Sequence, residues 1–159
     1  MPEHTVGKPV DILLVEDTPC DVLMTREALK EGGVVHRLSV VENGVEAMAF
    51  LRRQGKYAEA PRPRLVFLDL NLPKKDGCET LAEVKADETL RRIPVVILTA
   101  SRDERDILKA YDLHANCYVT KPTDLDEFMR AVAVVGRFWV GVVELPPKGA
   151  DEPANMPGL

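Results

Sequence analysis

A chain of 159 residues, 45% apolar and with a net charge of −5, suffices for one globular domain with its own core and not for two ordinary ones. No apolar run approaches the ~20 residues of a bilayer span, the opening MPEHTVGKPVD holds no apolar signal core, and the acidic balance lacks the basic stripe of a nucleic-acid binder. A cytoplasmic protein is expected, with neither a membrane nor a nucleic-acid partner.

Residues 1–9 contain two prolines and a glycine and read as a flexible lead into a domain over 10–145. In VDILLV, residues Val10, Ile12, Leu13, Leu14 and Val15 are apolar on both parities, the pattern of a strand buried on both faces. Thr18 and Pro19 suit a helix cap and a first helical position, and Gly32-Gly33 suits the end of that helix. RLSVVE reads as a short strand, NGVEAMAFLRRQ as a helix and GKYAEAPRPR as a polar loop. LVFLD is a second apolar strand, followed by a helix from about Cys78 to Ala86. PVVILTA is another strand, RDERDILKAYDL a helix, NCYVTK a fifth strand, and a last helix runs from Asp124 through Phe128, Val132 and Val135. The segment after Leu145, rich in Pro, Gly and Ala, reads as a disordered tail over 146–159. Five β–α units in strict alternation predict an α/β fold: a five-stranded parallel sheet with helices on both faces, doubly wound in the flavodoxin-like manner.

Ligands of such sheets bind at the carboxyl ends of the strands, near the point where the strand order reverses. The residues expected there are Glu16-Asp17 after strand 1, Asp69 after strand 3, Thr99-Ala100 after strand 4 and Lys121-Pro122 after strand 5. Two carboxylates ~4 Å apart in an effective dielectric of ~20 repel by about 4 kcal/mol, so a divalent cation, the Lys121 ammonium, or both should offset the crowding. Each residue also has an ordinary reading. Glu16-Asp17 could serve a helix N-terminus, Asp69 a turn, Thr99 a strand and Lys121 the surface. A carboxylate beside a cation and a lysine can instead attack phosphorus and form an acyl phosphate. Cys20, Cys78 and Cys117 form no C-x-x-C pair and read as reduced thiols.

Together the motifs LVED, LDLNLPKKDG, LTA and YVTKP resemble, in order and over about residues 9–143, the receiver domain of two-component response regulators. The resemblance implies that Asp69 is the phosphoacceptor. It implies that Asp17, Asp69 and the backbone carbonyl of Asn71 ligate Mg²⁺ (or Mn²⁺), with Glu16 acting through water. Thr99, with Ala100, and Lys121 would bind the phosphoryl group, and Tyr118 would report the switch. The bond before Pro122 would be cis, and Asn71 and Ser101 would tune dephosphorylation. The partner implied is a sensor histidine kinase. The arginine-bearing loop before LVFLD, the ending FWVGVVELPP and the lack of a following output domain are similar to single-domain regulators paired with phytochrome-type kinases. Phe138, Trp139 and Val142 are then candidates for a homodimer face built from helix 4, strand 5 and helix 5. Alternatives are a receiver-like scaffold that is never phosphorylated and an aspartyl-phosphate phosphatase. The second Asp of the phosphatase motif D-x-D-x-T is missing where Asn71 stands.

Overall fold

The computed structural model describes residues 9–147. Five strands, β1 (Val10–Val15), β2 (His36–Val41), β3 (Leu65–Leu68), β4 (Val95–Thr99) and β5 (Cys117–Thr120), alternate with five helices. These are α1 (Pro19–Glu31), α2 (Gly44–Leu51), α3 (Gly77–Ala86), α4 (Glu104–Asp112) and α5 (Leu125–Arg137). All strand pairs are parallel, in the order β2-β1-β3-β4-β5, so the winding direction reverses between β1 and β3. The α/β fold expected from the alternating pattern is the fold observed. The expected lead and tail fall, apart from Pro9 and residues 146–147, outside the described residues.

Period-two side-chain alternation divides the strand residues between two cores. Leu13, Val15, Val66, Leu68, Val95 and Ile97 face α2, α3 and α4, meeting Met48, Leu51, Leu81, Val84 and Ala110. Ile12, Leu14, Leu65, Phe67, Val96 and Leu98 face α1 and α5, meeting Ala28, Leu29, Phe128 and Val132. The one acid inside β1, Asp11, is buried, and Arg37 directly across in β2 takes both of its oxygens at 2.9 Å. A charge at that depth is tolerable because the guanidinium fork satisfies it.

Asn43, Asp76, Asp103 and Asp124 cap the helices after β2, β3, β4 and β5, each accepting a backbone N–H from the first turn. Thr18 departs from its expected role. It occupies the cap position of α1 but makes no side-chain cap bond, and its own N–H donates to Glu16 Oε2 at 3.2 Å. Pro19 is the first helical residue, as expected, and Gly33 leaves α1 with φ +75°. The polar loop after α2 contains one short 3₁₀ turn at Gly55–Tyr57, where Tyr57 packs on Phe50 and donates to Glu46 Oε1 at 2.6 Å.

At the far end of the sheet from the strand carboxyl termini, Lys85 of α3 holds three segments together. Its ammonium donates to the carbonyls of Arg91 and Ile93 at 2.9 Å and to Asn116 Oδ1 at 3.0 Å. Lys85→Met should therefore cost about 1–3 kcal/mol, the usual penalty for stranding shielded polar groups, measured as a shift in the urea midpoint with unchanged slope.

Beyond α5 the backbone widens into a π turn at Phe138–Val142. Trp139 and Val140 pack against the α1–α5 core, and Trp139 is paired with Cys117, the first residue of β5. The chain then runs extended, and Arg64, just before β3, donates to the carbonyls of Leu145 and Pro146 at 3.4 and 3.3 Å. This strap closes the amino-terminal pole of the sheet. Among the described residues, no helix is long and apolar enough to cross a membrane.

Candidate functional site: an acidic rim closed by a lysine

Because β1 and β3 are adjacent and parallel, the residues that follow them emerge together. Glu16 and Asp17 leave β1, Asp69 leaves β3, and a carboxylate oxygen from each lies within 4.8 Å of the others. Glu16 and Asp69 are buried, at 2% and 7% exposure, while Asp17 faces solvent. Backbone bonds fix the cluster: Asp69 N–H donates to Val15 O at 3.1 Å, and Glu16 N–H to Val41 O at 3.0 Å.

Lys121, delivered by the end of β5, reaches into this cluster. Its Nζ donates to Glu16 Oε1 at 2.5 Å, Asp21 Oδ2 at 2.7 Å and Asp69 Oδ2 at 3.2 Å, which spends all three ammonium protons on carboxylates. Burial alone would lower the Lys121 pKa. Its hydrogen bonds to Asp21 and Glu16 and the charge of Asp69 outweigh it, so the ammonium is held well above its ordinary range. Burial pushes the Glu16 carboxyl upward, and the Lys121 hydrogen bond opposes that only in part. The rim is a charged cluster in which one cation is shared by three anions.

The remaining expected site residues surround it. Asn71 N–H donates to Asp69 Oδ1 at 3.2 Å, and Asn71 itself is exposed at the mouth. The loop from Asp69 into α3 turns back tightly enough that a β-carbon on Gly77 would lie 2.3 Å from the Asp69 carbonyl oxygen, so only glycine fits there. Thr99 is fully buried, and its carbonyl accepts from Lys121 N–H at 2.7 Å, tying β4 to the lysine's backbone. Ala100 is exposed. Half-buried Ser101 donates through Oγ to Asp106 Oδ2 at 2.5 Å, and its carbonyl accepts the Tyr118 hydroxyl at 3.0 Å. Thus Tyr118 on β5 is latched to the loop that follows Thr99.

The structure corrects one expectation. The Lys121–Pro122 bond is trans, and no cis peptide occurs among the described residues. For X–Pro the trans isomer is favoured by about 0.5–1 kcal/mol, and Lys121 makes its three carboxylate contacts from it. Of the three candidate dimer residues, Phe138 and Val142 are 50% and 70% exposed, whereas Trp139 is half-buried against the α1–α5 core, its ring nearly perpendicular to that of Phe138. Asp21 was not legible as a site residue. As an acid in the first turn of α1 it looks like any residue favoured by the helix dipole.

Residues 12–133 match the response regulator receiver domain family. The chain belongs to that family. A receiver is the phosphorylated module of two-component signalling, and the acid, threonine and lysine motifs named above are the ones gathered at this rim. The receiver is 49% identical over 138 residues to response regulator Rcp1 of Synechocystis sp., a match covering 87% of this chain and 94% of that protein. The crystal structure of a phosphorylated cyanobacterial phytochrome response regulator, RcpA, superposes with a TM-score of 0.85 at 49% identity, covering 88% of this receiver and 100% of that chain. The Mn²⁺-bound form of Rcp1 superposes with a TM-score of 0.84 at 48% identity, covering 87% and 100%. The three converging carboxylates of this receiver suit a hard divalent cation, which takes oxygen ligands and offsets their repulsion.

Proposed function

We propose that Asp69 accepts a phosphoryl group from the phosphohistidine of a sensor kinase and that Mg²⁺ or Mn²⁺ serves the transfer. The observation that carries this reading is Asp69 itself: a buried carboxylate, 7% exposed, backed by a lysine ammonium and neighboured by the exposed Asp17 and Asn71. An Asp69 oxygen attacks phosphorus, the P–N bond to the kinase imidazole breaks, and the nitrogen leaves with the electron pair. Glu16, Asp17, Asp69 and the backbone carbonyl of Asn71 would hold the cation, Glu16 through water. When bound, the cation supplies positive charge for the crowded carboxylates and the incoming phosphoryl oxygens. Lys121 and the Thr99 hydroxyl, beside Ala100, then meet the new charge, and the Ser101–Tyr118 latch carries the change to β5 and α4. Asn71 and Ser101 flank the phosphoryl position and tune its hydrolysis. The test is incubation with acetyl phosphate: the intact protein should gain one phosphoryl mass with Mg²⁺ present and none with a chelator. No gain under either condition would leave a scaffold that acts without phosphorylation.

The kinase partner is proposed to be phytochrome-type, on the strength of the similarity to Rcp1 and RcpA, and the setting to be cytoplasmic. A homodimer through α4, β5 and α5 is the second part of the proposal. Leu108 and Tyr111 of α4, Leu125 and Val134 of α5, and Phe138 and Val142 beyond it are large apolar side chains left exposed. Phe138→Ser combined with Val142→Ser should weaken self-association at least about tenfold, since buried aromatics carry a disproportionate share of interface energy. Sedimentation equilibrium reads this directly, and unchanged association would place the contact elsewhere.

A further inference from the structure

Lys121 is held by one carboxylate that the metal cluster does not include. Asp21 stands in the first turn of α1, and its side chain is 32% exposed, against 2% for Glu16 and 9% for Asp69. Its 2.7 Å contact with Lys121 Nζ is shorter than the 3.2 Å contact of Asp69. The ammonium is therefore drawn toward the α1 side, between Glu16 and Asp21, and rests only loosely on Asp69. An ammonium has three protons, and all three are committed. A phosphoryl group on Asp69 brings further negative charge and strong acceptor oxygens; it inherits the Lys121 proton now donated to Asp69 Oδ2, and a second Lys121 proton can come only from Glu16 or Asp21. Glu16 is buried and would be left uncompensated. Asp21 is the partner that water can replace.

We propose that Asp21 is a positioning residue that restrains Lys121 on the α1 side and competes with the phosphoryl group for it, so that it sets how readily the phosphorylated state is reached. This rests on the reading of Asp69 as phosphoacceptor. Asp21 has a second effect of opposite sign: its charge adds to the negative field that attracts a cation to the rim. Removing that charge should help an anionic occupant of the site and hinder a cationic one, whereas a residue that merely supports the fold would weaken both.

The experiment is calorimetric titration of wild type, Asp21→Asn, Asp21→Glu and Asp69→Asn, first with Mg²⁺ alone and then with beryllofluoride at saturating Mg²⁺. Asp21→Asn should bind beryllofluoride about three- to tenfold more tightly and Mg²⁺ about two- to threefold more weakly, effects of the size of a partly exposed ion pair. Asp21→Glu, which keeps the charge, should return both toward wild type. Unchanged beryllofluoride affinity in Asp21→Asn, or parallel weakening of both ligands, overturns the proposal while leaving Asp69 as the acceptor. If wild type does not bind beryllofluoride, or Asp69→Asn binds it equally well, the reading of Asp69 falls and takes the proposal with it.

Discussion

Asp69→Asn should abolish phosphoryl acceptance while leaving the fold intact. The amide is nearly isosteric with the carboxylate, so the buried site keeps its shape, and the Val15 backbone bond that fixes residue 69 does not involve the side chain. What disappears is the nucleophile: an amide oxygen has neither the charge nor the lone-pair reactivity to displace imidazole from phosphorus. The expected fall in transfer rate is on the order of 10³-fold or more, since the neighbouring acids cannot substitute. Glu16 is tied to Lys121 and to the Thr18 N–H, and Asp17 faces solvent. The readout is intact mass after acetyl phosphate treatment, with hydroxylamine to cleave any acyl phosphate. A full phosphoryl gain in the variant would move the acceptor elsewhere. Thermal stability should change little, because Lys121 keeps its two shorter contacts.

Lys121→Met should produce the largest change in stability. The substitution leaves Glu16 and Asp69 buried without a counter-charge, and breaking a buried pair by removing one partner typically costs about 3–5 kcal/mol. The partial exposure of Asp21 and the exposure of Asp17 favour the lower end, about 3 kcal/mol in metal-free buffer. Two conditions should restore part of the loss. One is millimolar Mg²⁺, which on the proposed reading would bind the native acids and stabilise by mass action. The other is mild acid. In wild type, burial already places the Glu16 pKa above its ordinary 4.5 despite the opposing ammonium, and without Lys121 it rises further. A carboxyl whose folded pKa exceeds its unfolded one binds more protons when folded, so stability falls as pH rises from about 4.5 through the raised value. The variant should therefore recover relative to wild type when melts are moved from pH 7.5 toward pH 5. A deficit independent of both Mg²⁺ and pH would mean that Lys121 acts through packing of its stem and not through charge.

Much of this was legible because the sheet is parallel and covered on both faces. LVFL and VVILT cannot hide one polar side from water, so they read as buried strands without ambiguity, and a residue such as Asp69 directly after one must lie at the rim. The β–α alternation then placed Glu16, Asp17, Thr99 and Lys121 at the same edge. Asp21 was missed because its partner is a hundred residues away and its local signal is that of an ordinary first-turn acid. The trans bond at Pro122 was missed because the expectation came from resemblance, and the two isomers differ by too little for sequence to decide. The π turn after α5 and the Arg64 strap were missed for a related reason: FWVGV continues the helical pattern, and only packing against the start of β5 reveals where the backbone widens.

Trp139 is the only tryptophan in the chain, and it lies on the strap at the pole of the sheet opposite the acidic rim. Intrinsic emission excited at the indole band therefore comes from a single, half-buried position far from the ion site. Binding of a cation cannot quench it by contact. Any spectral shift that accompanies phosphorylation must be transmitted through β5 or α5, which turns an ordinary fluorometer into a direct gauge of whether events at one end of the sheet are felt at the other.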